Sequence, residues 1–332
     1  MNHTPFAARY LPLDVDDGRV RATVIVKATY EAAPDGSLVP TAEQLPIVAD
    51  RLDTSFGVFH TDHFVSKEGA DLCVLGTIRR VQPVPHVALF LMVGTFRHQL
   101  LAFGERRWIR ANGSLVPSSP TPFSELPLGY QYAYGGKAEF NHEMAAWPDN
   151  PEGRGYYFTA AQAEGNPLPN IESARNPLIR TWEERPTVAG WAPYPMFWGL
   201  RAREGIEPRD GGKTLSIPRL RARLYNQAHP ELILPKIVQG EHICITGLRA
   251  HDLWLEIPRD SVSVDVRVAD TSMQAGGVLD GVFVWADLGR LTITYRARFE
   301  YTFRRGDRRV ISVGLQSGTR AMTQGVTNAR IS

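Results

Sequence analysis

Prolines and glycines are concentrated in the middle of this 332-residue chain, where they limit what the backbone can form. Twelve of the 24 prolines fall between Pro117 and Pro195. Proline lacks a backbone donor and breaks both helix interiors and sheet ladders, so neither a long helix nor a central strand fits this stretch. The same stretch is rich in large rings, which disordered linkers lack, and long structureless loops are uncommon in compact domains. We therefore predict an ordered, irregular middle segment, residues 117–204, whose packing depends on aromatic rings.

On both sides of the middle segment, apolar and polar residues alternate with the two-residue period of β-strands. The clearest run is Leu291–Arg304, in which apolar or aromatic residues alternate with polar or charged ones. Val20–Tyr30 and Val262–Val268 show the same pattern. Helical periodicity is confined to the short stretches Phe158–Glu164 and Arg219–Tyr225. These patterns predict a mainly β fold of antiparallel sheets with few short helices, in which the long strands turn one face toward water.

The predicted strands fall into two groups along the chain. Residues 1–116 would form an N-terminal β-rich lobe and residues 205–304 a C-terminal one, with the middle segment packed on both. The sequence leaves open whether the two groups form one sandwich or two, and we adopt two lobes. Residues 305–332 form a polar tail, which is either a loosely docked end or, at Val310–Leu315, a strand that pairs with a sheet edge.

Composition narrows the class of protein. The net charge of +2 gives no reason to expect nucleic acid or an acidic membrane as a partner. No apolar run reaches the roughly 18 residues of a membrane span, and the first residues lack the pattern of a signal peptide. Cys73 and Cys244 lie among apolar strand-like neighbours, which is typical of buried free thiols, with a disulfide between them as the alternative. We therefore expect a cytoplasmic protein.

Two short motifs resemble known reaction sites, and each lacks a required residue. Asp210–Thr214 contains Gly-Lys-Thr, but Glu207 stands where a phosphate-binding loop needs its first glycine. His142–Trp147 begins like a zinc-protease helix, but Trp147 occupies the place of the second histidine. Neither motif therefore predicts nucleotide or zinc chemistry.

The remaining polar groups also give no clear reaction centre. His60, Asp62 and His63 are too few to hold a metal without a ligand from elsewhere in the chain. We therefore predict no catalytic residue, no cofactor and no bound metal. A local run of arginines is either the wet face of a strand with a solvated tail or a docking site for an acidic partner. Its members are Arg296, Arg298, Arg304, Arg305, Arg308 and Arg309.

An ordered set of short stretches resembles a bacterial protein family known as domain of unknown function 2169, which is linked to type VI secretion. The stretches run from about Val24 to Ala297. They are Val26–Tyr30, Asp35–Gly36, Lys67–Asp71 with Gly76, Phe103–Arg106 with Trp108, Pro127–Tyr130, Tyr134–Gly136, Asn150–Gly155, Leu168–Glu172, Arg185–Pro186 with Gly190, Trp198 with Arg201, Gly240–Glu241, Leu279–Asp280 and Tyr295–Arg296. The chain departs from the family pattern at Tyr295, where the family has a Trp, and beyond about Arg304.

The resemblance implies an adaptor or chaperone-like loading factor rather than an enzyme. Such a protein would bind a toxin effector and help to place it on the secretion spike, a valine-glycine-repeat protein, or on the tip of that spike. Aromatic and arginine residues dominate interface hot spots, so we expect partner binding on the middle segment. The candidate residues are Tyr130, Tyr132, Tyr134, Arg154, Arg175, Trp191, Trp198 and Arg201.

Alternatives remain at the level of the residue and of the protein. Charged residues matched to the family, such as Arg154, Glu172, Arg185 and Arg201, would in one interpretation only satisfy carbonyl groups of an irregular backbone. A hydrolase on a β-scaffold is a second candidate function, and it would need a concave pocket where titratable groups converge. A carbohydrate-binding or structural module is a third.

Overall fold

The computed structural model describes residues 1–16, 18–33, 37–175, 178–207 and 219–316. Strands account for 51% of it and helices for 7%, so the predicted mainly β fold is confirmed. None of the helices in these ranges is both long enough and apolar enough to cross a lipid bilayer.

The strands are short in the middle segment and long at the two ends of the chain. In the first part they are β1 (Ala7–Asp16), β2 (Arg19–Ala32), β3 (Leu38–Pro40), β4 (Arg51–Thr54), β5 (Gly57–His60), β6 (Ala70–Leu75), β7 (Thr77–Val84), β8 (His86–Val93), β9 (Phe96–Phe103), β10 (Trp108–Ala111) and β11 (Ser114–Pro117). In the middle segment they are β12 (Phe123–Pro127), β13 (Tyr134–Gly135), β14 (Lys137–Phe140), β15 (Glu143–Ala146), β16 (Arg154–Gly155) and β17 (Ile171–Ser173). The last part contains β18 (Ile206–Glu207), β19 (Arg219–Leu220), β20 (Ile233–Leu234), β21 (His242–Thr246), β22 (Leu253–Glu256), β23 (Ser261–Val268), β24 (Thr271–Gly276), β25 (Val278–Trp285), β26 (Arg290–Thr302) and β27 (Arg309–Gln316).

The helices are few and short, as predicted. The α-helices are α1 (Ala160–Ala163) and α2 (Gly199–Gly205), and single 3-10 turns occur at Tyr130–Tyr132, Ala222–Tyr225 and Pro230–Leu232. Thr159 caps α1 by accepting a hydrogen bond from the backbone N–H of Gln162, which explains why this helix begins where it does.

Three sheets make up most of the fold. The main sheet has the strand order β1-β2-β26-β25-β6-β20, with β3 paired to β2. The second has the order β17-β9-β8-β21-β22, and the third has the order β24-β23-β27. Neighbouring strands are antiparallel except β25 and β6, which run parallel.

Strands from the two ends of the chain lie side by side within the two large sheets. β2 pairs with β26 from Arg19 opposite Thr302 to Glu31 opposite Arg290. In the second sheet, β8 pairs with β21 in the same way. Residues 1–116 and 205–304 thus share both sheets, which differs from the two lobes that we adopted from the sequence. Alternation identifies a strand but not its hydrogen-bonding partner, so the sequence could not reveal this interleaving.

The largest hydrophobic core joins the three sheets. One cluster of contacting buried side chains includes Val24 and Ile293 from the main sheet, Leu91 from the second sheet and Val264 from the third. Cys73 and Cys244 are buried free thiols, as expected, and no disulfide joins them. Burial raises the pKa of both thiols above the ordinary cysteine value.

The water-facing side that we predicted for β26 is covered along the first half of that strand. Thr294 and Arg296 are buried although they belong to the polar set of the alternation. Arg296 donates to the carbonyl groups of Asp62 and Phe64, so the loop before β6 lies over this face. Only from Arg298 onward does the strand alternate between exposed and buried residues. The prediction is therefore wrong for the first half of β26 and correct for the second.

The polar tail contains the edge strand that we considered as an alternative. Residues 310–315 lie within β27, which pairs with β23 from Val268 opposite Arg309 to Ser261 opposite Gln316. Residues 317–332 are outside the described part of the chain.

The middle segment is ordered mainly by ring contacts. The Tyr130 ring lies edge-on to Tyr194 at 5.3 Å and to Trp198 at 5.8 Å between centroids. A second group of rings is built around Trp147, which meets the Tyr134 ring at 5.6 Å. Rings at these separations and angles attract each other beyond the area that they bury. These ring contacts therefore hold together a backbone that has only short β-ladders.

Candidate binding sites

A group of six charged side chains is buried between the main sheet and the loop before β6, and we call it the buried charge cluster. It contains three carboxylates and three cations, so its formal charge is zero. Each side chain is at most 9% exposed. The members are Lys27, Asp62, Lys67, Asp71, Asp280 and Arg296. Charges this deeply buried persist only when they are paired and hydrogen-bonded, so each member depends on the others.

Lys67 and Asp71 form the innermost pair. Lys67 Nζ lies 2.7 Å from Asp71 Oδ2. The Asp71 carboxylate also accepts hydrogen bonds from the Asn226 side chain and from the backbone N–H groups of Gln227 and Ala228. Four donors satisfy its lone pairs. Burial disfavours the charge on Lys67, but the neighbouring carboxylates, Asp71 foremost, outweigh it and raise the pKa of Lys67 above the ordinary lysine value.

Asp62 links the cluster to the loops above the sheet. Its carboxylate accepts from Lys27 Nζ at 2.9 Å, from the Val48 N–H at 2.8 Å and from Gln227 Nε2 at 3.1 Å. Burial would raise the pKa of Asp62, but the two lysine charges and these hydrogen bonds overcome it and lower that pKa. The group therefore stays ionised.

A β-bulge turns Asp280 toward the cluster. Leu279 pairs with Tyr295 and Gly281 pairs with Thr294, so Asp280 is the extra residue of β25. Its Oδ2 accepts from Arg296 Nε at 2.7 Å. The bulge lets the Asp280 side chain reach Arg296 on the neighbouring strand.

The protonation states of the cluster suit binding better than proton transfer. A general acid or base works best when its pKa lies near the working pH. Here the pKa of Lys67 is raised and that of Asp62 is lowered, so both groups hold fixed charges at neutral pH. These permanent charges at fixed positions can recognise a charged ligand. Their pKa values lie away from neutral pH, so the groups are poorly suited to proton transfer.

A pocket of about 160 Å³ opens onto one side of this cluster. Lys67, Asp280 and Arg296 from the cluster form part of its wall. Lys236 and Arg298, which are exposed to solvent, stand on its rim. The residues that line the pocket include four cations and one carboxylate, and the two cations exposed to solvent are Lys236 and Arg298.

A second candidate site is the exposed side of the second sheet, which we call the outer sheet face. The side chains that point the other way, such as Leu91 and Ile243, are fully buried. On the outer side, Trp254 is 61% exposed and Phe90 is 40% exposed. The register places Trp254, Cys244 and Met92 in one row across three strands. The outer sheet face consists of Ala88, Phe90, Met92, Thr246 and Trp254, and Cys244 is buried between Met92 and Trp254.

Four of the eight residues predicted for partner binding lie inside the protein. Tyr130, Tyr134, Trp191 and Arg201 are at most 6% exposed. The Arg201 guanidinium donates to the carbonyls of Tyr194 and Leu224, and burial lowers its pKa to about 10. Trp191 donates its indole N–H to the side chain of His98. These four residues therefore support the irregular backbone from within. The amino-acid sequence alone does not distinguish a buried ring or arginine from an exposed one.

The other four predicted residues reach the surface. Tyr132, Arg154 and Trp198 are half-buried and Arg175 is exposed. The Arg154 guanidinium stacks over the Tyr132 ring at 4.8 Å and donates to the Gln131 carbonyl. Partner binding by these four residues stays a prediction.

The structure describes one of the two motifs that resembled reaction sites. The stretch beginning at His142 forms a hairpin, with Glu143–Ala146 as β15, so it is not the helix that a zinc protease uses. Asp210–Thr214 lies outside the described residues. Asp62 is committed to Lys27, and the part of the chain that the structure describes holds no group of three or more candidate metal ligands.

Reasoning from residue types missed the buried charge cluster, although five of its six members, all except Asp62, belong to stretches that carry the family resemblance. A usable signal was present in the sequence. Asp71 and Asp280 each interrupt an otherwise apolar strand, where a lone charge would be costly. A buried charge needs a partner of opposite charge. Strands that each carry a charged residue in an apolar run are therefore candidates to lie close together in the fold.

Comparison with known proteins gives one match. The family model described as an uncharacterized protein conserved in bacteria (DUF2169) matches residues 17–296. The chain has no significant match among curated proteins or solved structures. The matched range includes every member of the buried charge cluster and the whole outer sheet face.

Proposed function

Because the chain belongs to the DUF2169 family of bacterial proteins, we propose that it is an adaptor of type VI secretion. In this proposal it binds a toxin effector and assists its loading onto the valine-glycine-repeat spike protein or the tip of that spike. It acts in the cytoplasm, before the effector leaves the cell. The proposal joins the role implied by the sequence resemblance to the binding surfaces described above.

The outer sheet face is the observation that carries the proposal. Trp254 and Phe90 expose large rings on the same side of this sheet, and the half-buried Met92 follows Phe90 on that side of β8. Contiguous exposed apolar patches mark interaction sites, and tryptophan is the residue most enriched in interface hot spots. A rigid sheet also loses little conformational freedom when a partner binds to it. The surface is therefore suited to holding another polypeptide.

Co-purification from the native bacterium tests the proposal. We expect the wild-type protein to retain a valine-glycine-repeat spike protein or a toxin, identified by mass spectrometry. Trp254→Ala should cost about 2 kcal/mol or more, which is a roughly thirty-fold loss of affinity. Most of the partner should then be lost in the wash.

Leu288→Ala is the matched control. Leu288 is 57% exposed, similar to Trp254, but lies in the turn between β25 and β26. This variant should retain the partner. The proposal would be rejected if the wild-type protein recovered neither a spike protein nor a toxin, or if both variants retained the partner equally.

A further inference from the structure

Most edge strands of the three large sheets are protected against pairing with another chain. Proteins usually block such an edge with proline, charge, a bulge, a short strand or a covering segment. β1 has Pro12 followed by a bulge, and β22 carries Glu256. The outer edge of β27 is covered by residues 1–3, whose backbone bonds to Val313. β3, β17 and β20 are at most three residues long.

The edge strand β24 has none of these protections. Its sequence, Thr271–Gly276, contains no proline and no charged residue, and its ladder with β23 has no bulge. None of its six residues is buried. In the described part of the chain, β23 is the one strand that pairs with it. β24 therefore offers an open edge to water.

The ladder with β23 shows which backbone groups of β24 face that edge. In an antiparallel pair, residues that exchange hydrogen bonds alternate with residues that do not. Gly277 donates to the carbonyl of Val262, which continues the register of the ladder, so every second residue before Gly277 also bonds to β23. The N–H and C=O groups of the residues between them, Ser272, Gln274 and Gly276, therefore point away from β23.

This open edge is complementary to itself. Gln274 lies midway between Ser272 and Gly276. When a second copy lies antiparallel with a two-fold axis at Gln274, Ser272 meets Gly276 of the second copy, and Gln274 meets its own equivalent. Each of these pairs exchanges two hydrogen bonds, so every outward N–H and C=O group gains a partner. A shift of register in either direction leaves some of these groups unpaired.

The side chains on both faces of β24 suit the same pairing. On the face toward the core, the half-buried Met273 lies opposite Ala275 of the second copy, so a large side chain meets a small one. On the other face, the Gln274 amide donates to Asp265 at 3.1 Å. The second amide hydrogen and the carbonyl oxygen of Gln274 can bond to the equivalent side chain. No like charges meet within the paired strands, because β24 has no charged residue.

We propose that two copies of this chain pair antiparallel along β24, with the two-fold axis at Gln274. Each third sheet has three strands, so the two copies share one continuous sheet of six. The contact uses the same surface on both copies, as in most homodimers. It does not depend on the proposed adaptor function, because no other protein takes part in it.

Cysteine substitutions in the full-length protein test the register. The Cα atoms of a hydrogen-bonded antiparallel pair are about 5.5 Å apart, which is within the range for a disulfide. Mild oxidation of Gln274→Cys should therefore give a disulfide-linked dimer on a non-reducing gel. Ser272→Cys is the matched control, because Ser272 is exposed on the same edge but lies more than about 13 Å from its equivalent. It should run as a monomer, as should the wild type, whose two cysteines are buried.

Sedimentation velocity measures the association without a cross-link. The wild type should show a monomer–dimer equilibrium in which the dimer fraction rises with protein concentration. Gln274→Lys places two like charges at the axis and should raise the dissociation constant at least about ten-fold. The lysine can still pair with Asp265, so the thermal unfolding midpoint should stay close to that of the wild type.

Gln316→Lys is the control for charge. Gln316 is exposed on β27, at the opposite edge of the same sheet. The variant adds the same charge as Gln274→Lys, but salt screens charges that lie far apart, so the dissociation constant should change less than about two-fold. If this variant weakens the dimer as much as Gln274→Lys does, the contact does not lie along β24 and the proposal is wrong.

Two further results would overturn the proposal. One is a wild-type protein that stays monomeric at every concentration. If Gln274→Lys then also loses a co-purified protein, the edge of β24 accepts a strand of that protein rather than a second copy. The other is equal cross-linking of Gln274→Cys and Ser272→Cys, which would show that the two copies meet without the proposed register.

Discussion

Lys67 shows how a single side chain can join distant parts of the chain. Its ammonium group pairs with Asp71 at the start of β6 and donates to the Asp280 carbonyl at the bulge of β25. It also lies 5.5 Å from the centre of the Phe64 ring, whose negative face favours a cation. Since its side chain is only 1% exposed, water cannot replace any of these partners. Lys67 is therefore a residue whose charge the fold requires.

Lys67→Met should destabilise the protein strongly. Methionine keeps the length of the side chain but leaves the Asp71 carboxylate without its cation in the interior. Removal of one partner of a buried pair typically costs about 3–5 kcal/mol. Urea unfolding should measure this loss of unfolding free energy. The matched variant Arg51→Gln breaks an exposed pair with Asp53 and should cost less than about 1 kcal/mol. Equal effects of the two variants would contradict our account of the cluster.

Single residues also mark the limit of what the sequence can predict. The family resemblance drew attention to Arg154 and Arg201 as candidates for partner binding. The Arg201 guanidinium donates to two backbone carbonyls, which supports the alternative that it satisfies an irregular backbone, whereas Arg154 donates to one carbonyl and to the side chains of Glu105 and Asn170. Residue type could not decide this question, because the residue is an arginine whether it binds backbone carbonyls or a partner protein. Burial, which depends on the whole fold, distinguishes them.

At the scale of elements, β27 is an edge strand of the three-stranded third sheet. It lies at the edge of that sheet, beside β23, and Val313 stands opposite Val264. Val313 is buried and belongs to the largest hydrophobic core. The strand thus completes the cover over the apolar side of β23, although it comes from a part of the chain that is polar overall.

Val313→Asp should release β27 from the sheet. A carboxylate in an apolar core has no partner, and we expect a loss of at least about 2 kcal/mol in unfolding free energy. Hydrogen exchange should speed up at backbone N–H groups of β23 that bond to β27. Gln316→Asp is the control, because Gln316 is exposed at the end of the same strand. Unchanged exchange in β23 of the Val313 variant would mean that β27 is not required for the third sheet.

Strands were predictable as elements because their two-residue period is local. β2, β23 and β26 were all expected near their actual bounds. The number of buried faces was not predictable, because it depends on what packs above the strand. On β26, Thr294 looks like a water-facing residue until the loop around Phe64 is placed over it. The bulge at Asp280 was equally hidden, because one extra residue does not disturb an apolar run such as Val278–Trp285.

At the scale of the whole molecule, the two ends of the chain complete each other's sheets. β2 lies between β1 and β26, and β6 lies between β25 and β20. In the main sheet, one neighbour of β2 and both neighbours of β6 therefore come from the C-terminal part of the chain. The N-terminal and C-terminal parts are therefore a single folding unit in spite of the middle segment that separates them in sequence.

Fragments cut at the predicted lobe boundaries should not fold. Residues 1–116 alone would lack β25 and β26, which flank β2 and β6 in the main sheet. We expect this fragment to show no cooperative thermal transition by circular dichroism and rapid digestion by proteases. The full-length chain, treated in the same way, should unfold cooperatively. A sharp transition in the isolated fragment would show that the interleaved sheet is not needed for stability.

Interleaving also sets a delay during synthesis. The Thr23 side chain bonds to the carbonyl of Ala297, 274 residues later. A ribosome that adds about 5–20 residues per second needs roughly 15–55 seconds to cover that distance. For much of that interval the apolar side of β2 is outside the ribosome without the strand that will cover its edge. Newly made chains are therefore most prone to associate with one another before synthesis ends, and their yield should depend on how well the cell shields an N-terminus that has emerged long before its partner.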